Sequence, residues 1–326
     1  MRITVVICSF LLLFSCKKEE GERAGSLGGN SFWPEMNYPS DNHYTAERYE
    51  FGKALFFDPR FSSDGMVSCA TCHQPELYFA DNSPTSPGAE NEAGTRNSPS
   101  LVNIGYHPYF TREGGVPTLE MQVLVPIQEH NEFNSNIVLV AEQLNQDPVL
   151  REMSLMAYDE EITPYTITRG LANFERELIS NDSKYDQYLR GEIALDPDEM
   201  SGMNLFFSDR TKCASCHSGI QFTSFEIVNN GLYTHYEDPC LARLTGLAQD
   251  SGKVKVPSLR NVAMTAPYMH DGSVTSLSEV LDHYIQGGKD HANQDERVNG
   301  FSLTQEEKTD LLAFLETLTD HQFSMH

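Results

Sequence analysis

Two stretches of the chain repeat one another, and each ends in a pair of cysteines followed by a histidine. The first reads YEFGKALFFDPRFSSDGMVSCATCH (49–73) and the second reads EMSGMNLFFSDRTKCASCH (199–217). In both, a glycine precedes Leu-Phe-Phe, a polar turn follows, and C-x-x-C-H closes the stretch. Two copies about 144 residues apart indicate a duplicated domain rather than a short-period solenoid. We therefore predict two domains, 45–190 and 191–326.

Three kinds of site use a C-x-x-C motif. A redox dithiol is expected beside a βαβ pattern, which this sequence lacks, and a zinc site pairs two C-x-x-C halves that lie much closer together. Covalent haem c explains the histidine in both copies, because the thiols bind the haem vinyl groups and the histidine ligates the iron. Composition alone predicts on the order of 0.005 such motifs in this chain. The predicted haem residues are Cys69, Cys72, His73, Cys213, Cys216 and His217.

The N-terminus has the pattern of an export signal. Its apolar run, 3–15, is too short to span a bilayer, and LFSC at 13–16 resembles a bacterial lipobox. We predict a lipoprotein signal peptide over 1–16 with lipid on Cys16, and a plain secretory signal is the alternative. Residues 17–44 lack periodicity and predict a flexible tether. Either signal exports the protein to the periplasmic side or the cell surface.

The charge of the chain limits its partners. A formal net charge of −24 argues against nucleic acid and against an anionic membrane surface, since phosphate binding needs basic clusters. A solvated acidic face and the steering of a basic redox partner both explain this charge. Any membrane association is therefore expected only through a lipid anchor.

Helical periodicity dominates the rest of the chain. The segments 163–180, 276–288 and 304–318 carry apolar residues at helical spacing, and the last two begin with capping-box patterns. No series of hairpins is recognisable. We predict a mainly α fold, with two cytochrome c-like haem domains and long irregular connections.

Five stretches of the sequence resemble the bacterial di-haem cytochrome c peroxidases and their MauG-type relatives. They are FGKALFFDPRFSSDGMVSCATCH, RNSPSLVN, LEMQVLVPIQEHNEF, KCASCHSG and VPSLRNVAMTAPYMHDGS, spread over about 48–319. The resemblance implies a peroxidatic first haem with His73 as proximal ligand and an electron-transferring second haem with His217. It also matches Gln122, Pro126 and Glu132 to the distal pocket, where Glu132 and Gln122 are the catalytic pair. A carboxylate there can carry the proton that peroxide cleavage requires.

The sequence departs from the family pattern beside each haem. Many relatives hold a histidine after the first motif that caps the reactive iron, but 74–99 contains none. We therefore expect an open iron at rest, unless His107 or His130 interferes. Tyr284 stands 14 residues after His270, where peroxidases have methionine and MauG-type enzymes have tyrosine.

Tyr284 has alternatives as the second haem's distal ligand. It shares a predicted helix face with apolar residues, so it also suits a simple core position. Met264 and Met269 are the rival sulfur ligands. The tryptophan that the family has between its haems is also missing, and Arg112 stands near its place. Tyr109 and Phe110 are the alternative residues for electron transfer between the haems.

The resemblance further implies one calcium ion between the domains. Asn97 matches its side-chain ligand, and Thr265 and Pro267 match its backbone-carbonyl ligands, which suits the preference of calcium for oxygen. The alternative is a purely structural role, in which Asn97 caps a turn.

We predict a di-haem c peroxidase that reduces hydrogen peroxide at the N-terminal haem. Electrons would come from a small redox protein, a cytochrome c or a cupredoxin, through the C-terminal haem. The alternatives are a MauG-type oxidase of a protein or small organic substrate and a non-catalytic electron carrier. A homodimer is one assembly that the resemblance allows.

Overall fold

The computed structural model describes residues 33–321 and 323. The predicted signal peptide, Cys16 and the first part of the predicted tether lie outside these residues. Among the described residues, no helix is both long and apolar enough to cross a membrane. The helices are α1 (Ala46–Phe56), α2 (Cys69–Cys72), α3 (Leu119–Gln122), α4 (Leu124–Gln128), α5 (Ile137–Leu144), α6 (Pro148–Tyr158), α7 (Pro164–Arg176), α8 (Lys184–Leu189), α9 (Pro197–Phe206), α10 (Ala242–Thr245), α11 (Leu277–Gln286) and α12 (Gln305–Glu316). Two short antiparallel strands, β1 (Ile227–Val228) and β2 (Val254–Lys255), form a sheet.

The prediction of a mainly α fold is confirmed, and the three predicted helices form as α7, α11 and α12. The capping box of α11 is complete, because Glu279 N–H donates to Ser276 Oγ (3.2 Å) and Ser276 N–H donates to Glu279 Oε2 (2.9 Å). The helix ends at Gly287, whose φ of +82° suits glycine. These local signals fix the helix that carries Tyr284.

Each half of the chain has its own apolar core, and each core is built around one pair of helices. In the N-terminal lobe α1 packs on α7, and in the C-terminal lobe α9 packs on α12. The repeated glycine lies at both contacts. A Cβ at Gly52 would lie 1.9 Å from the carbonyl oxygen of Gly170, and one at Gly202 would lie 1.9 Å from that of Asp310. The sequence repeat is therefore also a repeat of helix packing.

Replacing either repeated glycine by alanine is expected to destabilise its lobe. Gly52→Ala or Gly202→Ala forces a methyl group into a backbone carbonyl, so we expect a loss of about 1–3 kcal/mol in the free energy of unfolding. Denaturant unfolding followed by circular dichroism measures it. Glu50→Ala, at an exposed position of α1, is the control and is expected to stay within about 0.5 kcal/mol. Equal stability of Gly52→Ala and the control would contradict this packing.

The segment 33–44 is packed against the protein, so the prediction of a flexible tether is wrong for this part. Trp33 is 6% exposed, and the guanidinium of Arg260 lies 4.8 Å from its ring centre. Asn42 is fully buried and donates to Glu120 Oε1 at 2.9 Å. These contacts join residues far apart in sequence, which explains why a polar, aperiodic segment gave no sign of them.

Candidate functional site

Both C-x-x-C-H motifs line one continuous cavity of about 760 Å³. The cavity extends through both lobes, and the six predicted haem residues all lie on its wall. None of the four motif cysteines is in a disulfide. The structure therefore brings together every residue that the motif predicted for haem attachment.

The first motif is shaped by a single turn of helix. α2 holds Cys69 and Cys72 three residues apart, and the backbone N–H of His73 donates to the carbonyl oxygen of Cys69 at 2.9 Å. The chain then turns back, so that His73 Nδ1 donates to the carbonyl oxygen of Phe79 at 3.0 Å. Phe79 itself has a φ of +55°, in the left-handed region.

The second motif reproduces this geometry. The backbone N–H of His217 donates to Cys213 at 2.9 Å, and His217 Nδ1 donates to the carbonyl oxygen of Phe222 at 3.1 Å. Phe222 also has a positive φ, +51°. Both lobes thus present the same arrangement of thiols and imidazole to the cavity.

The carbonyl bonds determine which imidazole nitrogen is available to a metal. With Nδ1 protonated, the Nε2 atoms of His73 and His217 keep their lone pairs. Burial lowers the pKa of both imidazoles, which keeps them neutral at physiological pH. Free paired thiols beside a neutral, oriented imidazole fit covalent haem c.

The predicted distal residues lie on the wall of the same cavity. Gln122, Pro126 and Glu132 line it together with the first motif. Gln122 Oε1 is buried and has no hydrogen-bond partner among the described residues, so it is available to a bound molecule. The loop that carries Glu132 is held by the backbone N–H of Ala89, which donates to the Glu132 carbonyl oxygen at 2.6 Å.

The carboxyl group of Glu132 is suited to proton transfer. The side chain reaches solvent at the cavity wall, but surrounding protein removes part of its hydration, and Glu129 adds a negative charge nearby. Both effects raise the pKa of Glu132, with loss of hydration the larger. A raised pKa brings a carboxyl closer to the range in which it can both accept and return a proton.

His107 and His130, the two candidate caps of the first iron, both line the cavity. His107 Nδ1 lies 3.4 Å from Lys255 Nζ, and its Nε2 is buried without a partner among the described residues. Burial lowers the pKa of His107 to about 3 and that of Lys255 to about 8. The segment 74–99 contains no histidine. An open first iron at rest stays a prediction.

Lys255 is a site residue that the sequence analysis missed. Its Nζ donates to the carbonyl oxygen of Tyr109 at 2.9 Å and lies at the cavity wall beside His107. The charge of Lys255 favours an anionic group in the cavity, such as a haem propionate, whereas His107 is neutral at physiological pH. A single lysine carries no pattern, and only its position in the fold identifies it.

The structure narrows the choice of distal ligand for the second haem. Tyr284 lines the cavity on α11, whereas Met264 is 42% exposed and lies off the cavity wall. Met269 does line the cavity, and its Sδ accepts from Asn230 Nδ2 at 3.4 Å. Burial raises the pKa of Tyr284, while a hydrogen bond with the Asn230 side chain lowers it. Asn230, also missed from sequence, thus contacts both remaining candidates.

The surroundings of Asn97, the predicted side-chain ligand of calcium, do not suit a calcium ion. Asn97 is buried, and Arg112 Nη2 lies 2.6 Å from its carbonyl oxygen and 3.4 Å from its Oδ1. A cation at Asn97 would therefore meet a guanidinium. Thr265 and Pro267 line the same cavity.

Comparison with known proteins agrees with this geometry. The family model described as di-haem cytochrome c peroxidase matches residues 46–194. The methylamine utilization protein MauG of Methylorubrum extorquens is 35% identical over 291 residues, covering 86% of this chain and 80% of that protein. The cytochrome c551 peroxidase of Nitrosomonas europaea is 32% identical, covering 85% and 81%.

A solved structure shows the same likeness in three dimensions. A MauG-like protein associated with microbial copper homeostasis superposes with a TM-score of 0.86 at 33% identity, covering 90% of this chain and 95% of that one. The relatives of this chain and its two haem-attachment motifs indicate the same cofactor, two haem c groups. The chain belongs to the di-haem cytochrome c peroxidase and MauG family of oxidoreductases.

Proposed function

We propose that the protein reduces hydrogen peroxide to water at the N-terminal haem, with electrons arriving through the C-terminal haem. The observation that carries this proposal is that Glu132 and Gln122 lie on the wall of the cavity that the first motif lines, with the Glu132 carboxyl close enough to act electrostatically on Cys72. A bound haem would supply the iron that binds and reduces peroxide. The residues described next supply orientation and protons.

Each residue has a separate task in this proposal. Glu132 accepts a proton from peroxide at its carboxylate and returns it to the departing oxygen. Gln122 Oε1, which lacks a protein partner among the described residues, accepts a hydrogen bond and orients the substrate. His73, oriented by the bond from its Nδ1 to the Phe79 carbonyl oxygen, would hold the haem iron through Nε2.

Steady-state kinetics test this function. The holoprotein is mixed with peroxide and a reduced small cytochrome c or cupredoxin, and oxidation of the donor is followed by absorbance. We expect donor oxidation that depends on peroxide and saturates with it. Electron paramagnetic resonance of the resting protein is expected to show one high-spin and one low-spin ferric signal. No turnover with any donor would contradict the proposal, whereas two low-spin signals would contradict the prediction of an open first iron.

A MauG-type oxidase is the second candidate, and the position of Tyr284 favours it. Tyrosine rather than methionine beside the second motif suits a haem that stays oxidised. Such an enzyme would use peroxide to oxidise a protein or a small organic substrate and would turn over the reduced donor poorly. Haem spectra that do not respond to peroxide would leave only an electron carrier.

The pH dependence of peroxide reduction follows from Glu132. The carboxyl must be ionised to accept the proton, and its pKa lies above the ordinary value of 4.5. We therefore expect kcat/KM for peroxide to fall as the pH drops through a pKa above 4.5. A stopped-flow pH profile measures this acidic limb, which should be absent from Glu132→Gln. An unchanged limb in the variant would assign it to another group.

We further propose that the protein is exported and lipid-anchored through Cys16. The short apolar run followed by LFSC at 13–16 supports this, as does the haem c attachment motif in both lobes. Mass spectrometry of the mature N-terminus checks it, since an unmodified terminus would exclude the anchor.

The net charge of −24 favours an electron donor with a basic face. A homodimer stays a proposal.

A further inference from the structure

A layer of charged side chains joins the two lobes at the place where calcium was expected. Arg96 of the N-terminal lobe holds Asp238 of the C-terminal lobe with Nε–Oδ2 and Nη2–Oδ1 distances of 2.6 and 2.8 Å. Arg243 of the C-terminal lobe in turn donates from Nη2 to Oε1 of Glu113 in the N-terminal lobe at 3.1 Å. The backbone N–H of Lys255 also donates to the carbonyl oxygen of Arg112 at 2.6 Å. Side chains and backbone therefore already connect the lobes here.

The guanidinium of Arg112 contacts the two oxygen atoms of Asn97 that a cation would otherwise bind. Its Nη2 donates to the Asn97 carbonyl oxygen at 2.6 Å and approaches Oδ1 at 3.4 Å. The amide nitrogen of Asn97 is turned away and donates to the carbonyl oxygen of Ser83 at 3.1 Å. Both Asn97 oxygens thus face the guanidinium, whereas calcium requires six to eight oxygen ligands around itself.

The nearby carboxylates already have cationic or hydrogen-bonding partners, although Glu113 Oε2 is buried without one among the described residues. Glu113 Oε1 accepts from Arg96 as well as from Arg243, and Asp271 accepts from the Tyr233 hydroxyl at 2.6 Å. A calcium ion here would have to compete with guanidinium groups for charge and for ligands.

A neighbouring cluster does not offer an alternative metal site. Asp238, Cys240 and His270 are the one group in the described chain whose donor atoms lie close enough to share a metal ion. Both oxygens of Asp238 are already held by Arg96, so a metal ion would have to displace a guanidinium to reach this carboxylate. The positive charge between the lobes therefore comes from arginine.

Arg112 keeps its charge at physiological pH. Loss of hydration and the nearby Arg96 lower its pKa to about 10, which still leaves the guanidinium protonated at pH 7. The side chain lines the cavity that extends through both lobes. A fixed positive charge is thus present where the family resemblance implies a divalent cation.

We propose that the guanidinium of Arg112 replaces the calcium ion of the family, so that this protein joins its two haem lobes without calcium.

Metal analysis of the holoprotein is the direct test. The full chain is purified without added calcium, its calcium is measured by inductively coupled plasma mass spectrometry, and its Tm and haem spectra are recorded with a chelator and with added calcium. We expect less than stoichiometric calcium and no change in Tm or spectra under either treatment. One calcium per chain, with spectra that change on chelation, would overturn the proposal.

Two variants of Arg112 extend the test. Arg112→Ala frees the Asn97 oxygens, so we expect a lower Tm that calcium partly restores, whereas Arg112→Lys keeps a cation and should stay insensitive to calcium. Arg210→Ala removes an exposed arginine paired with Glu307 and serves as the matched control. A folded Arg112→Ala protein that ignores calcium would also contradict the proposal. If that variant cannot be isolated, the calcium content of the unaltered protein decides.

Discussion

Replacing Glu132 by glutamine is expected to lower kcat for peroxide reduction by about 10²–10⁴-fold. Glutamine keeps the shape and hydrogen-bonding capacity of the side chain but cannot accept a proton at neutral pH. The haem spectra and the Tm should stay unchanged, because the backbone of the Glu132 loop is held by Ala89 rather than by the carboxyl group. Stopped-flow mixing of the holoprotein with peroxide measures the effect.

Two further variants separate proton transfer from a general effect of charge. Glu132→Asp keeps a carboxylate but shortens its reach, so we expect a loss of rate between the unaltered protein and Glu132→Gln. Glu142→Gln removes an exposed charge on α5 and should leave the rate unchanged. If Glu132→Gln reacted as fast as Glu142→Gln, the proton carrier would have to be another group on the cavity wall.

Features that depend on neighbouring residues could be predicted from the sequence. The haem-attachment motif brings its own geometry, since one turn of chain aligns Cys69 with Cys72. The capping box of Ser276 and Glu279 is likewise complete within four residues. The predicted helices and the mainly α class are confirmed because they depend on such short-range patterns, and the predicted attachment residues all lie on the wall of one cavity.

Contacts between distant parts of the chain could not be predicted in this way. Trp33 is buried against Arg260, and Asn230 meets Tyr284, although no periodicity or motif connects either pair. A single polar residue has many acceptable environments, and the packing of the lobes selects one of them. The family resemblance identified Tyr284, but its hydrogen bond to Asn230 is visible only in the fold.

Replacing Tyr284 by methionine is expected to raise the reduction potential of the second haem while leaving the first unchanged. A phenolate ligand stabilises oxidised iron, whereas a methionine ligand raises the potential. Axial ligands set haem potentials over a range of about 0.8 V, so we expect a shift on the order of 0.2 V. Spectroelectrochemistry of the holoprotein resolves the two haems and measures it.

Met269 is the rival ligand, and its own variant decides between the two residues. If Tyr284 ligates the iron, Met269→Leu should leave both potentials unchanged, as should Tyr165→Phe, which removes an exposed phenol. A shift of the potential in Met269→Leu but not in Tyr284→Met would assign the Met269 sulfur as the ligand instead.

The result also bears on function, because a second haem held oxidised by tyrosine accepts electrons from a weak donor poorly. Faster donor-dependent turnover in Tyr284→Met would therefore indicate that the native chain is adapted to oxidise a substrate other than the donor.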